Sequence, residues 1–95
     1  MAAYIIFMRD RMRDTAEFGK YMEAVPGTLD GHPVKPLAIY GQVEILEGAP
    51  IEGAVLAEFP TMEAARAWYH SPAYVKAMQH RLRAGDYRVF LIEGL

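Results

Sequence analysis

The sequence predicts an α+β fold in which two β-α-β halves share one four-stranded antiparallel sheet, with two helices on one face. Three observations lead there. A strand-like run, YIIFM, is followed by a helix-like segment, DTAEFGKYMEAV, and the same order recurs as AVLAEF followed by TMEAARAWYHSPAYVKAM. Each half is completed by a further strand-like run, which is the pattern of the split βαβ, ferredoxin-like sandwich. No linker, low-complexity tract or charge block divides the 95 residues, so residues 1–95 read as a single domain.

The first strand, Ala3 to Arg9, is apolar at nearly every position rather than at every second one, as expected of a strand covered on both faces. Asp14 is placed to cap the first helix, with Glu17 at its third position to complete a capping box. Phe18, Tyr21, Met22 and Val25 then fall at i, i+3, i+4 and i+7, a stripe that faces a core, and Pro26-Gly27 ends or kinks the helix. After the loop-like DGHPVKP come two short strand pieces, Leu37 to Tyr40 and Gln42 to Leu46, broken at Gly41 by a bulge or tight bend.

Glu47-Gly48-Ala49-Pro50 makes a turn, Gly53 to Phe59 is the third strand, and Thr61 caps the next helix. That helix presents Met62, Ala65, Trp68 and Tyr69 and breaks at Ser71-Pro72. There Ser71 caps a restarted segment with Val75, Met78 and Leu82 facing inward. Gly85 stops it, and the last strand, Tyr87 to Glu93, sets Val89 and Leu91 against Phe90 and Ile92.

Composition narrows the function. With no cysteine, a disulfide framework, a thiolate metal site and a thiol nucleophile are excluded. The opening apolar run, Tyr4 to Met8, is too short for a signal-peptide core or a membrane span, so a cytoplasmic protein with no membrane partner is expected. A net charge of −2 and a pI near 5.9 argue against a nucleic-acid partner. Arg9, Arg11 and Arg13 alternate with Asp10 and Asp14, and Arg81, Arg83 and Arg88 surround Asp86, so both groups read as solvated, self-compensating turns. With 53% hydrophobic residues in so short a chain, a second copy is one of the few ways to enlarge the core.

The stretch EFPTMEAARAWYHSPAYVKAM, preceded by GQVEILEG and followed by a last strand ending LIEG, resembles the bacterial domain of unknown function 1330. The most specific piece is Phe59-Pro60 with Ala65, Trp68-Tyr69, Ser71-Pro72 and Tyr74; family members carry a Gly-Gly pair where this chain has Gly31-His32-Pro33. The resemblance implies a dimeric α/β barrel, in which two ferredoxin-like monomers pack sheet against sheet. Strands that are apolar on both faces agree with it, because helices cover only one face of a four-stranded sheet.

Glu58 is an acid inside an otherwise apolar run: either a general acid or base in a pocket, or a structural ion pair with Arg9 or Arg88, or a solvated strand end. His70 stands where the helix breaks, suited to proton transfer or to capping. His32 lies in a Gly31-His32-Pro33 turn that would serve a ligand or the turn itself, and His80 is expected on an exposed helix face. Tyr21, Tyr40, Trp68, Tyr69 and Tyr74 would line a pocket for a planar or apolar ligand, or else form core, with Tyr40 beside Gly41 best placed to turn toward a cleft.

No metal site and no cofactor are expected. The histidines lack helical ligand spacing, and neither a Gly-rich phosphate loop nor a GxSxG elbow occurs. Two functions follow. One is a dimeric protein that binds a small apolar or aromatic metabolite, with the cofactor-independent oxygenase or isomerase activity that the resemblance implies; Glu58 or His70 would move the proton and Tyr40, Tyr69 or Tyr74 would hold an oxyanion. The other is a non-enzymatic dimeric module that binds a ligand or a protein.

Overall fold

A computed structural model describes all residues, Met1–Leu95. Chain order is β1 (Ala3–Met12), α1 (Thr15–Thr28), β2 (Lys35–Ile39), β3 (Gly53–Phe59), α2 (Met62–Tyr69), α3 (Pro72–Ala84) and β4 (Gly85–Glu93). The sheet runs β2-β3-β1-β4 with every pair antiparallel, which places β1, apolar from Ala3 to Met8, inside. Successive strand residues alternate between faces, and residues paired across strands share one. Ala3, Ile5 and Phe7 therefore lie under the helices with Ala57 and Phe59, while Tyr4, Ile6 and Met8 point the other way. On that uncovered face Ile6 stands between Leu56 and Phe90, and Tyr4 between Glu58 and Ile92, with Phe90 45% and Ile92 51% exposed.

The helix caps form where Asp14, Thr61 and Ser71 placed them. The Asp14 carboxylate accepts from the Ala16 and Glu17 amides at 3.0 and 3.1 Å. The capping box does not close, because the Glu17 carboxylate meets His80 Nδ1 at 2.6 Å instead, and the Asp14 amide donates to the Ala84 carbonyl. His80 is accordingly half-buried against α1 rather than exposed. Pro26 does not end α1: so near the C-terminus it removes a single amide donor, and the Thr28 hydroxyl closes the last turn onto the Val25 carbonyl at 2.6 Å.

The inward face of α3 is Tyr74, Ala77, Arg81 and Ala84, not Val75, Met78 and Leu82. Val75 and Leu82 are exposed and Met78 is half-buried. Two alanines let α3 approach α1 closely, and the Tyr74 ring fills the space that results. The extended piece expected at Gln42–Leu46 is not a strand, since it lies beyond the sheet edge with no ladder partner. The bend falls one residue early, on Tyr40 with φ of 50°.

Gly85 is required where α3 turns into β4, because a Cβ there would stand 2.4 Å from the Arg11 carbonyl oxygen. Arg88 pairs with Asp10 at 2.8 Å and Arg13 with Asp86, so the two groups compensate each other across the β1–β4 pairing instead of each within its own turn. Arg81 departs from that reading: it is only 3% exposed.

Candidate ligand cavity

Between α1 and the sheet lies a cavity of about 170 Å³ on the helix-covered face. Its roof is Tyr21, Met22, Val25 and Pro26 of α1; its floor is Ile5 and Phe7 of β1 with Val55 and Ala57 of β3. Leu29, Val34, Pro36, Ile39 and Tyr40 form the side toward β2, and Trp68 of α2 closes the back. Apart from two prolines, each of these side chains is aliphatic, thioether or aromatic. Met22 and Ile39 are exposed at the mouth.

Few polar groups reach this wall, and each has a definite bonding state. The Trp68 indole N–H donates to Thr28 Oγ1 at 3.2 Å and is spent there. The Tyr21 hydroxyl lies 2.8 Å from that of Tyr74, and the Tyr40 hydroxyl 2.7 Å from that of Tyr87. Burial pushes the Tyr21 phenol far above its ordinary range, with Tyr74 adding to the effect. Tyr40 rises mainly through burial and then through its bond to Tyr87. Both phenols stay protonated at neutral pH, so they offer hydrogen bonds to a ligand and do not act as bases.

Tyr40 reaches this position through its left-handed backbone and a glycine opposite. Its ring lies across Gly53, where a Cβ would be 2.8 Å from Cδ1, and against the Arg9 guanidinium, which lies 5.0 Å from the centres of both the Tyr40 and Phe18 rings, themselves edge to face at 5.4 Å. Arg9 Nε faces Glu52 at 3.4 Å.

Arg81 is placed behind the Phe7 and Tyr21 wall. Its guanidinium lies 5.6 Å from the Phe7 centroid and 5.1 Å from that of Tyr87, and Nη2 donates to Tyr69 at 3.4 Å. It has no carboxylate partner, and its Nε has no partner at all. Burial works against its charge, and the phenol oxygens of Tyr74 and Tyr21 outweigh that.

Over residues 2–95 the chain matches the family described as domain of unknown function DUF1330. It is a member of the DUF1330 family. Solved structures agree on the fold. The RPA0582 protein of unknown function from Rhodopseudomonas palustris superposes with a TM-score of 0.75 at 19% identity, covering 99% of this chain and 82% of that one. A dimeric ferredoxin-like protein of unknown function from Bacteroides fragilis gives 0.68 at 14% identity, covering 98% and 96%. SnoaB, a cofactor-independent oxygenase from Streptomyces nogalater, gives 0.59 at 7% identity, covering 98% and 91%. No curated protein matches the chain.

Of the residues singled out from sequence, this DUF1330 chain brings Tyr21, Tyr40 and Trp68 to the cavity. Tyr74 stands one hydrogen bond behind, through Tyr21, and Tyr69 packs against Trp68 and Tyr74 at 6.4 and 5.4 Å between centroids. The remaining three are elsewhere. Glu58 alternates with Ala57 and Phe59 and so lies on the uncovered face, beside Tyr4 and Lys35. Neither Arg9 nor Arg88 is its partner, since these pair with Glu52 and Asp10. His70 is the exposed C-cap of α2, and His32 sits in the turn after α1, where its carbonyl accepts from Val34.

Sequence reasoning missed Arg81 and Gly53. The signal for Arg81 was available: Tyr74, Ala77, Arg81 and Ala84 fall at i, i+3, i+7 and i+10, a helical face in its own right. No group of three or more His, Cys, Asp or Glu side chains gathers anywhere, and no helix is long and apolar enough to cross a membrane.

Proposed function

We propose that this DUF1330 chain binds a small apolar or aromatic molecule in the cavity beneath α1, as one half of a homodimer joined through the uncovered sheet face. The carrying observation is the cavity itself: about 170 Å³ of space walled by hydrocarbon and rings. A dry apolar cavity of about 150 Å³ accommodates benzene, so the ligand is about one ring in size. The dimer is supported by the row Phe90, Ile6 and Leu56, which a lone chain would leave to water, and by the dimeric state of the B. fragilis neighbour.

Binding without turnover is the reading adopted. An oxygenase or isomerase would need a base at the ligand, and Glu58 and His70, the two candidates, lie outside the cavity wall while its phenols are held protonated.

Trp68 supplies the test, because it is the sole tryptophan and forms part of the wall. Titration with toluene or indole should give a saturable change: Trp68 emission for toluene, and heat by calorimetry for indole, which itself fluoresces. No saturable change with either, up to the solubility limit, would sink the proposal.

A further inference from the structure

Arg81 is the one charged residue that this fold buries. A buried ion costs several kcal/mol unless a counter-charge and hydrogen bonds compensate it, and folded proteins therefore pair buried guanidinium groups with carboxylates. Arg81 is 3% exposed, lies within 4.0 Å of no carboxylate and leaves Nε without an acceptor. The groups that face it are phenols and rings from every element packed around it: Tyr21 of α1, Tyr69 of α2, Tyr74 of its own helix, Phe7 of β1 and Tyr87 of β4. Phe7 and Tyr21 are also cavity wall. A positive charge without a counter-ion thus stands one side chain behind an apolar cavity.

The hydroxyls carry that polarity forward. The Tyr21 and Tyr74 hydroxyls lie 2.8 Å apart, where either can donate; a guanidinium can only donate, so the Arg81 charge, whose own hydrogen bond goes to Tyr69, favours oxygen lone pairs turned toward it and hence Tyr74 donating to Tyr21. The Tyr21–Tyr74 pair holds two protons and spends one between its members. Tyr74 is fully enclosed and Tyr21 is a wall residue, so the pair's remaining donor can reach a ligand only through Tyr21.

We propose that the cavity's ligand is an aromatic anion, a ring bearing an anionic oxygen that accepts from the Tyr21 hydroxyl and supplies the counter-charge Arg81 lacks. This rests on the ligand-binding reading above and adds the charge of the ligand. Shape and apolar walls select a single ring, and the Tyr21–Tyr74 pair, with the Arg81 charge behind it, orients it with its oxygen inward.

The probes are 4-nitrophenol, whose absorption band distinguishes phenol from phenolate, and 4-nitrotoluene, a neutral molecule of nearly the same shape. Titrated across pH with the intact protein in excess, bound 4-nitrophenol should ionise at lower pH than free 4-nitrophenol, by about one unit for a tenfold preference for the anion. An unchanged or raised ionisation pH overturns the inference. Tyr21→Phe keeps the ring and removes the donor, and should cut the ratio of phenolate to 4-nitrotoluene affinity about tenfold. A ratio that does not move overturns it as well. Arg81→Met should abolish the ionisation shift; should that variant fail to fold, the wild-type shift and Tyr21→Phe still decide. Binding of 4-nitrotoluene but not of phenolate overturns this inference and leaves the ligand-binding reading standing, whereas binding of neither overturns both.

Discussion

Filling the cavity from its floor separates binding from folding. Ala57 is 8% exposed, lies on β3 opposite Ile5 of β1, and contributes only a methyl group to the wall. Ala57→Ile adds three carbons and a β-branch that suits a strand. At about 0.8 kcal/mol per buried methylene the gross gain is about 2.4 kcal/mol. Overpacking a filled core costs about 1–3 kcal/mol, and here the added atoms enter empty space, so the low end of that range applies. The net is a stabilisation of about 1 kcal/mol, which for a domain of this size raises Tm by roughly 4–8 °C. The assay is thermal and urea unfolding at fixed protein concentration, because a dimer's Tm depends on it, beside the Trp68 fluorescence titration with toluene. Stability should rise and toluene binding should be lost. A fall in stability of more than about 2 kcal/mol would show that no space exists over Ala57. A rise in stability with binding intact would place the ligand somewhere else.

The remaining expectations concern charge, packing and assembly. Arg81→Met removes a buried cation without orphaning any carboxylate, so stability should be held or raised by up to about 2 kcal/mol in urea unfolding, and a loss of that size would mean its ring contacts outweigh its desolvation. Gly53→Ala puts a Cβ 2.8 Å from Tyr40 Cδ1, displaces that ring from Tyr87, and should cost about 1–3 kcal/mol; a neutral result would refute the close approach. Phe90→Glu places a charge at the β4 end of the outer apolar row and should weaken self-association about 100-fold or more in sedimentation, equivalent to about 3 kcal/mol. Glu17 is held below the usual carboxylate range, first by its hydrogen bond to His80. A depressed folded-state pKa contributes stability above the unfolded value and loses it as pH falls through the folded one. The stability difference between wild type and Glu17→Gln should therefore be full at neutral pH and vanish on acidification, and a difference independent of pH would contradict it.

How legible each part was in the sequence depended on the range of its causes. β1 was placed inside the sheet from its unbroken apolar run, and the Asp14, Thr61 and Ser71 caps from residue type and spacing alone, because those are local rules. The phase of α3 was misread by choosing Val75, Met78 and Leu82 for their hydrophobicity. What turns the helix the other way is the fit of Ala77 and Ala84 against α1 and the bond between Tyr74 and Tyr21, 53 residues away. The candidate site was legible in its aromatics and not in its charge. An arginine reads as solvated in a sequence, and only phenols and rings converging from separate elements make its burial possible. Glu58 was recognised as unusual, yet strand alternation cannot say which of two apolar faces meets the helices and which is left bare.

That same alternation divides the work of the sheet. On β3 the odd positions, Val55 and Ala57, floor the cavity, and the even ones, Leu56 and Glu58, belong to the outer face. On β1 Ile5 and Phe7 serve the cavity while Tyr4 and Ile6 face outward. A one-residue slip of either strand would exchange the two sets, setting Glu58 against the helices and Ala57 on the outer face. The register is held against that slip at both ends of β1: the Gly94 amide donates to the Ala2 carbonyl at 2.7 Å, and at the other end the Arg13 amide donates to Ala84 at 2.7 Å and the Glu52 amide to Arg9 at 2.8 Å. Neither the cavity nor the outer face borrows a residue from the other, so a partner that covers Phe90 leaves every wall residue in place. The ligand affinity and self-association proposed above would then rest on separate residues of the same strands, coupled only through the stability of the sheet they share.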